Sequence, residues 1–220
     1  VVSTGIGCDN IDIVMNELDA LVNIDLHTKE IKAEKKTLNI VRIGTSGSVQ
    51  ADVPVHSFVI SEMSLGIDGV LRFYRDNEMV CDAAFEEAFI KECHWTPLAA
   101  RPYAVKASDE LVDKLHTEGV TVKGVTLTAN GFYGPQGRVL RLPIEMPTVN
   151  DEIARFEFGN YKIVNYEMES AAIAGLAALM GHRATTICLI IANRANGKAS
   201  ADYKPHMKKL IEYTLNSLIR

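Results

Sequence analysis

Two glutamates flank a methionine in NYEMES, where Glu167, Met168 and Glu169 precede a stretch from Ala171 to Met180 that carries no charged residue. Carboxylates this close to an apolar helix are unfavourable unless something pairs with them. A vicinal diol is one such partner, because each hydroxyl donates one hydrogen bond to the carboxylate, and a helix N-terminus also favours the charge. A capping role is the plainer alternative. It accounts for one glutamate and leaves the second over.

Other stretches carry complementary chemistry. In VRIGTSGS, residues 41–48, the spacing predicts a strand that ends at Ile43 and gives way to Gly-Thr-Ser-Gly. Small residues there let backbone N–H groups converge on an anion, Thr45 and Ser46 add hydroxyls, and Arg42 adds charge. The stretch matches neither GxxxxGK[ST] nor GxGxxG, and a tight turn beside a surface arginine explains it equally well. In NGFYGPQGR, residues 130–138, Gln136 and Arg138 are expected on one side of a short extended segment. Gln donates and accepts while Arg only donates, which suits a planar ligand with carbonyl and N–H edges, and Phe132 could stack on its ring. A polar loop with a packed aromatic is the alternative. Arg194 closes the strand CLIIANR, a weak signal alone. Together, an anion loop, a diol acceptor, a flat-ring reader and a strand-end arginine describe phosphate, ribose and base.

The elements that must position these residues follow from periodicity. Asp9 or Asn10 can cap a helix carrying Ile11, Val14, Met15, Leu18, Leu21 and Val22. Buried strands are expected at 38–43, 55–61, 121–129 and 184–194, and helices at 108–118, 171–180 (stopped by Gly181) and 206–220, the last with Met207, Leu210, Ile211, Thr214, Leu215 and Leu218 inward. The opening VVSTGIG reads as a buried strand entering a turn, so an N-terminal piece of the natural protein is expected to precede it. Strands alternating with helices give a single α/β domain over residues 1–220, an α/β/α sandwich with a central mixed, mostly parallel sheet flanked by helices. Ligands in such folds collect at strand ends.

Composition removes several classes. The net charge of -5, with 23 basic and 28 acidic residues, gives no electrostatic reason to expect nucleic acid or an anionic membrane. The apolar runs are too short to span a bilayer. Cys8, Cys81, Cys93 and Cys188 lack CxxC pairing, so they read as reduced thiols of a cytoplasmic protein, and the histidines show no metal-ligand spacing.

VVSTGIG, VRIGTSGS, GFYGPQGR, NYEMES with its apolar helix, and IIANR resemble the uridine-cleaving members of the nucleoside phosphorylase-I family, in order and spacing along the whole chain. The resemblance implies that Arg42 and Thr45 bind phosphate, with Gly44 and Gly47 permitting the turn. It implies that Glu169 holds the ribose hydroxyls with Met168 against the sugar, Glu167 and Thr45 nearby. Gln136 and Arg138 would read the uracil edge, Phe132 would stack on the ring, Arg194 would support the pair, and Ile190 and Ile191 would line the base pocket. Arg138, Gln136 and Glu169 are thus the expected catalytic group. Purine-cleaving relatives carry an acid just after the last core strand; here that strand ends Ala192-Asn193-Arg194, which favours a pyrimidine. FYGPQGR departs from the commoner FYPGQER form. The family's upstream Gly-Asp-Pro-x-Arg turn, and a His and Arg given across a subunit interface, are not in this chain. The implied reaction is reversible phosphorolysis of uridine in pyrimidine salvage, with phosphate as co-substrate, no metal or other cofactor, and a homodimer or trimer of dimers completing each site. A purine nucleoside phosphorylase, a hydrolytic nucleosidase and a non-catalytic nucleoside-binding homologue are the alternatives.

Overall fold

The computed structural model describes residues 1–219, so the final residue of the helix expected over 206–220 lies outside the described residues. In chain order the elements are α1 (Cys8–Asn23), β1 (Ile24–Asp25), β2 (Glu30–Ile31), β3 (Asn39–Ser48), β4 (Phe58–Gly66), α2 (Ala83–Glu92), β5 (Tyr103–Lys106), α3 (Asp109–Leu115), β6 (Thr121–Thr128), α4 (Val149–Arg155), β7 (Glu157–Phe158), β8 (Tyr161–Glu167), α5 (Ser170–Met180), β9 (Arg183–Asn193), β10 (Lys198–Ala199) and α6 (Lys204–Leu218).

A mixed α/β fold results. The main sheet runs β10-β9-β3-β8-β6-β4-β5, and β4 also pairs with β9, so five central strands close on themselves. The long ladders are parallel: β3 with β9 from Asn39↔Arg183 to Ser48↔Asn193, β4 with β6, and β6 with β8. The β4–β9 and β4–β5 ladders are antiparallel. β1 and β2 form a separate hairpin.

Helices cover the strands on several sides. α1 and α5 pack around Ile11, Met15, Leu71 and Leu176. α3 and α6 close over Ile60, Leu115, Ile187 and Leu210, and α2 and α4 over Phe85, Phe89, Ile153 and Phe156. α5 is rich in Ala and Gly because it lies close to its neighbours: a Cβ on Gly175 would come within 2.7 Å of Leu71 Cδ2. Gly181, at φ 77, ends α5 in the left-handed region, as its glycine predicts.

Several expectations need correction. β3 does not stop at Ile43. It runs through Gly-Thr-Ser-Gly to Ser48, because β9 pairs with it along its whole length and β8 pairs with Gly47 and Ser48. β4 starts at Phe58, not near residue 55, after a turn in which Ser57 N–H donates to Pro54 O at 3.2 Å. VVSTG forms no strand, and Val1 and Val2 are exposed. On α6, Leu210 and Thr214 face inward, whereas Ile211 and Leu215 lie on the solvent flank, since residues three and four apart share the buried stripe and their neighbours do not. α2, β5, α4 and β8 were not legible as elements.

Candidate active site

β8 ends at Glu167 and α5 begins at Ser170, so the two glutamates occupy a tight strand-to-helix junction. Glu167 is the capping carboxylate. Its Oε2 accepts the N–H groups of Glu169 and Ser170, both at 2.8 Å. Its Oε1 accepts the Thr128 hydroxyl, and Thr128 Oγ1 in turn accepts the Ala171 N–H at 2.9 Å. These bonds satisfy N–H groups that the first turn of a helix leaves without partners.

Glu169 lies beside the start of a second helix. Its Oε1 accepts the N–H of Gly7, the residue before α1, at 2.7 Å, and its Oε2 pairs with Arg42 Nη2. Met168 is held through its carbonyl, which accepts the Cys8 thiol at 3.1 Å. Arg42 Nη1 also approaches Glu167 Oε2 at 3.1 Å and the Cys188 sulfur at 3.5 Å. Burial opposes the charge on Arg42, but the two carboxylates and Cys188 outweigh it and hold the guanidinium above its ordinary value. Burial raises Glu167, with Arg42 opposing, and pushes the Cys188 thiol up to about 12.

The glycines of β3 lie within a strand and not in a turn. A Cβ on Gly44 would lie 2.7 Å from Arg42 Cζ, so its absence lets the guanidinium fold back along the strand to the glutamates. Thr45 is not brought to Arg42. Three residues apart on one strand, the two side chains point to opposite faces, and Thr45 pairs in register with Leu189 of the α6-side core.

The second cluster forms on the loop after β6. Instead of an extended segment, Gly134–Gln136 make a 3-10 turn and Gly137 takes φ 68, which curls Arg138 back toward Phe132. Arg138 Cζ sits 3.8 Å from the Phe132 ring centroid, and its Nη1 donates to Phe132 O and to Gln136 Oε1, both at 2.6 Å. Arg194 donates from Nη2 to the same Oε1 and from Nη1 to Gln136 O, again at 2.6 Å each. With Oε1 committed to both arginines, the amide NH2 edge of Gln136 is the one left for a ligand acceptor. Among the described residues neither guanidinium has a carboxylate partner. Burial, with Arg138 second, pushes Arg194 down to about 10, and burial lowers Arg138 as well.

Ile190 and Ile191 stay outside both clusters. Ile190 is fully buried with Val53, Val59 and Val164. Ile191 packs on the α6-side core with Ile187, Leu189 and Leu210. Sequence reasoning missed Thr128, Gly7, Cys8 and Cys188 around the glutamates and Tyr166 beside Arg194, whose Cζ lies 4.5 Å from the Tyr166 ring centroid. A cavity of about 670 Å³ opens on the other flank of the loop, lined by Leu98, Tyr133, Arg138, Leu140, Leu142 and Met146 among others, and none of Gln136, Arg194, Glu169 or Arg42 lines it. Among the described residues no cluster of His, Cys, Asp and Glu is arranged to hold a metal ion, and no helix is long and apolar enough to cross a membrane.

A closed mixed sheet, a carboxylate pair at a strand-to-helix junction and, among the described residues, an arginine pair without a carboxylate partner characterise this α/β protein. The chain matches the Phosphorylase superfamily over residues 1–217 and belongs to it. A DeoD-type purine nucleoside phosphorylase of Listeria welshimeri is 26% identical over 191 residues, 86% of this chain and 61% of that protein. The uridine phosphorylase of Thermococcus kodakarensis is 24% identical over 204 residues, 90% of this chain and 59% of that protein. The chain thus spans about three fifths of the length of these relatives. Among solved structures, a Trypanosoma brucei nucleoside phosphorylase described as showing uridine phosphorylase activity shares the fold with a TM-score of 0.83 at 24% identity, over 99% of this chain and 78% of that one. The Schistosoma mansoni uridine phosphorylase gives 0.64 at 23% identity, over 99% and 70%.

Proposed function

We propose that the protein catalyses reversible phosphorolysis of uridine: uridine + phosphate ⇌ uracil + ribose 1-phosphate. The observation that carries this reading is the meeting of Arg138 and Arg194 on one Gln136 oxygen with, among the described residues, no carboxylate to neutralise them. As the glycosidic bond stretches, a departing pyrimidine gathers negative charge on its carbonyl oxygens, and preorganised donors placed there contribute roughly 3–4 kcal/mol. Arg138 and the Gln136 NH2 supply those donors, with Phe132 beside the ring. Glu169 holds the ribose hydroxyls and its charge favours the cationic sugar, with Met168 against the sugar. Glu167 fixes Glu169 through the backbone. Arg42, the cation nearest Glu169, supplies the charge for phosphate, whose placement under the anomeric carbon is catalysis by proximity. The reading needs no metal or organic cofactor. It carries with it a cytoplasmic homodimer, alone or in a trimer of dimers, that acts in pyrimidine salvage.

A pyrimidine is favoured over a purine by Asn193, whose amide is turned inward to Gln50 O at 2.8 Å and Val53 O at 2.9 Å and offers no acid to a purine N7. A second reading, hydrolysis by water, draws support from Arg42, whose charge is already matched by two carboxylates. Incubation with uridine, with and without phosphate, tests both. Uracil formed only with phosphate, alongside ribose 1-phosphate, supports phosphorolysis; uracil and free ribose formed at equal rates in both arms establish hydrolysis instead.

A further inference from the structure

Tyr166 is the residue before Glu167 on β8, is 2% exposed, and pairs across the sheet with Gly47 of β3 and Leu127 of β6. Arg194 passes over Gly47: a Cβ there would lie 3.8 Å from Arg194 Nε, an ordinary contact distance. Arg194 brings its guanidinium to 4.5 Å from the Tyr166 ring centroid. Among the described residues neither Arg194 Nε nor the Tyr166 hydroxyl has a hydrogen-bond partner. The face of the ring, and not its hydroxyl, therefore meets the charge.

We propose that Tyr166 is the positioning residue of the base reader: its ring face seats the Arg194 guanidinium, which clamps Gln136 by side-chain and main-chain oxygens at once. The inference rests on the uridine reading and adds to it how the reader is held in register. A carboxylate in place of Tyr166 would also hold Arg194, but it would cancel the positive charge that a departing pyrimidine anion needs. An aromatic face attracts a guanidinium through its quadrupole and leaves the net charge in place. The clamp fixes which edge of the Gln136 amide faces the ligand, because Nη1 and Nη2 bind Gln136 O and Oε1 together. Since Tyr166 and Glu167 are adjacent on one strand, the base and ribose halves of the site share a single rigid support.

A fluorination series at Tyr166 separates the ring's electrostatics from its bulk. Phe is the reference, followed by Phe carrying increasing ring fluorination up to the pentafluoro ring, which keeps the shape while the quadrupole weakens and reverses. Uracil affinity by calorimetry is expected to fall stepwise, by about tenfold across the series, with ribose 1-phosphate affinity unchanged. In the ligand-free protein, solvent exchange of the Arg194 Nε–H, read by 15N NMR, is expected to quicken along the same series. Uracil affinity and exchange rate that both stay flat overturn the proposal. If the parent protein binds no uracil, the uridine reading fails, and the exchange series by itself still decides whether the ring seats Arg194.

Discussion

Arg138 and Arg194 converge on a single neutral acceptor, each donating to Gln136 Oε1 at 2.6 Å. Two guanidiniums held together without a counter-charge repel each other, and an anion arriving between them relieves that repulsion. Burial lowers both guanidiniums, and the neighbouring Arg138 lowers Arg194 further.

Arg138→Ala removes the donor aimed at the developing charge while leaving the Gln136–Arg194 clamp. Steady-state kinetics should show kcat/KM for uridine reduced by at least ~100-fold. A variant within a few-fold of the parent would remove Arg138 from this role.

Gly44→Ala places a methyl group against the Arg42 guanidinium. The expected result is a loss of about tenfold or more in kcat/KM, since small displacements of a positioning group are amplified in rate. Unchanged kinetics would show that Arg42 need not lie along its own strand.

Thr128→Val deletes a hydroxyl that donates to Glu167 and accepts from Ala171. Both partners are buried, so urea unfolding should show a loss of roughly 2–3 kcal/mol. A midpoint equal to the parent's would mean that the α5 N-terminus finds other partners.

Asp68 gives a pH dependence of known sign. Burial holds its carboxyl above the ordinary value of 3.8, with the Val70 N–H and the Tyr103 hydroxyl opposing. The folded state then keeps a proton that the unfolded chain has lost. This contribution to stability is full below the unfolded value and is lost as pH rises through the folded one. Asp68→Asn should therefore gain stability relative to the parent as pH rises from about 4 to about 7. Thermal unfolding across that range checks it, and parallel curves for the two proteins would contradict it.

Much of the site was legible because its chemistry sits in short motifs. The structure gathers Gln136, Arg138 and Arg194 into one cluster and Glu167, Glu169 and Arg42 into another. What was not legible lies in contacts between distant residues: Gly7 meets Glu169 from 162 positions away, and Thr128 meets Glu167 from 39. Glu167 could not be told from Glu169 by residue type, because only the backbone geometry at the α5 junction makes one a cap. The glycines of VRIGTSGS read as a turn, since glycine usually punctuates a strand; here pairing with β9 overrides that tendency, and Gly44 makes room for Arg42. β8, which carries Tyr166 and Glu167, escaped notice because Lys162, Asn165 and Glu167 interrupt its apolar pattern.

The most direct test of the account is a competition between equimolar uridine and inosine with excess phosphate, followed by chromatography of bases and sugars. Uracil and ribose 1-phosphate accumulating while inosine is left essentially untouched is the predicted result. Preferential release of hypoxanthine, or the appearance of free ribose in place of the sugar phosphate, would contradict it.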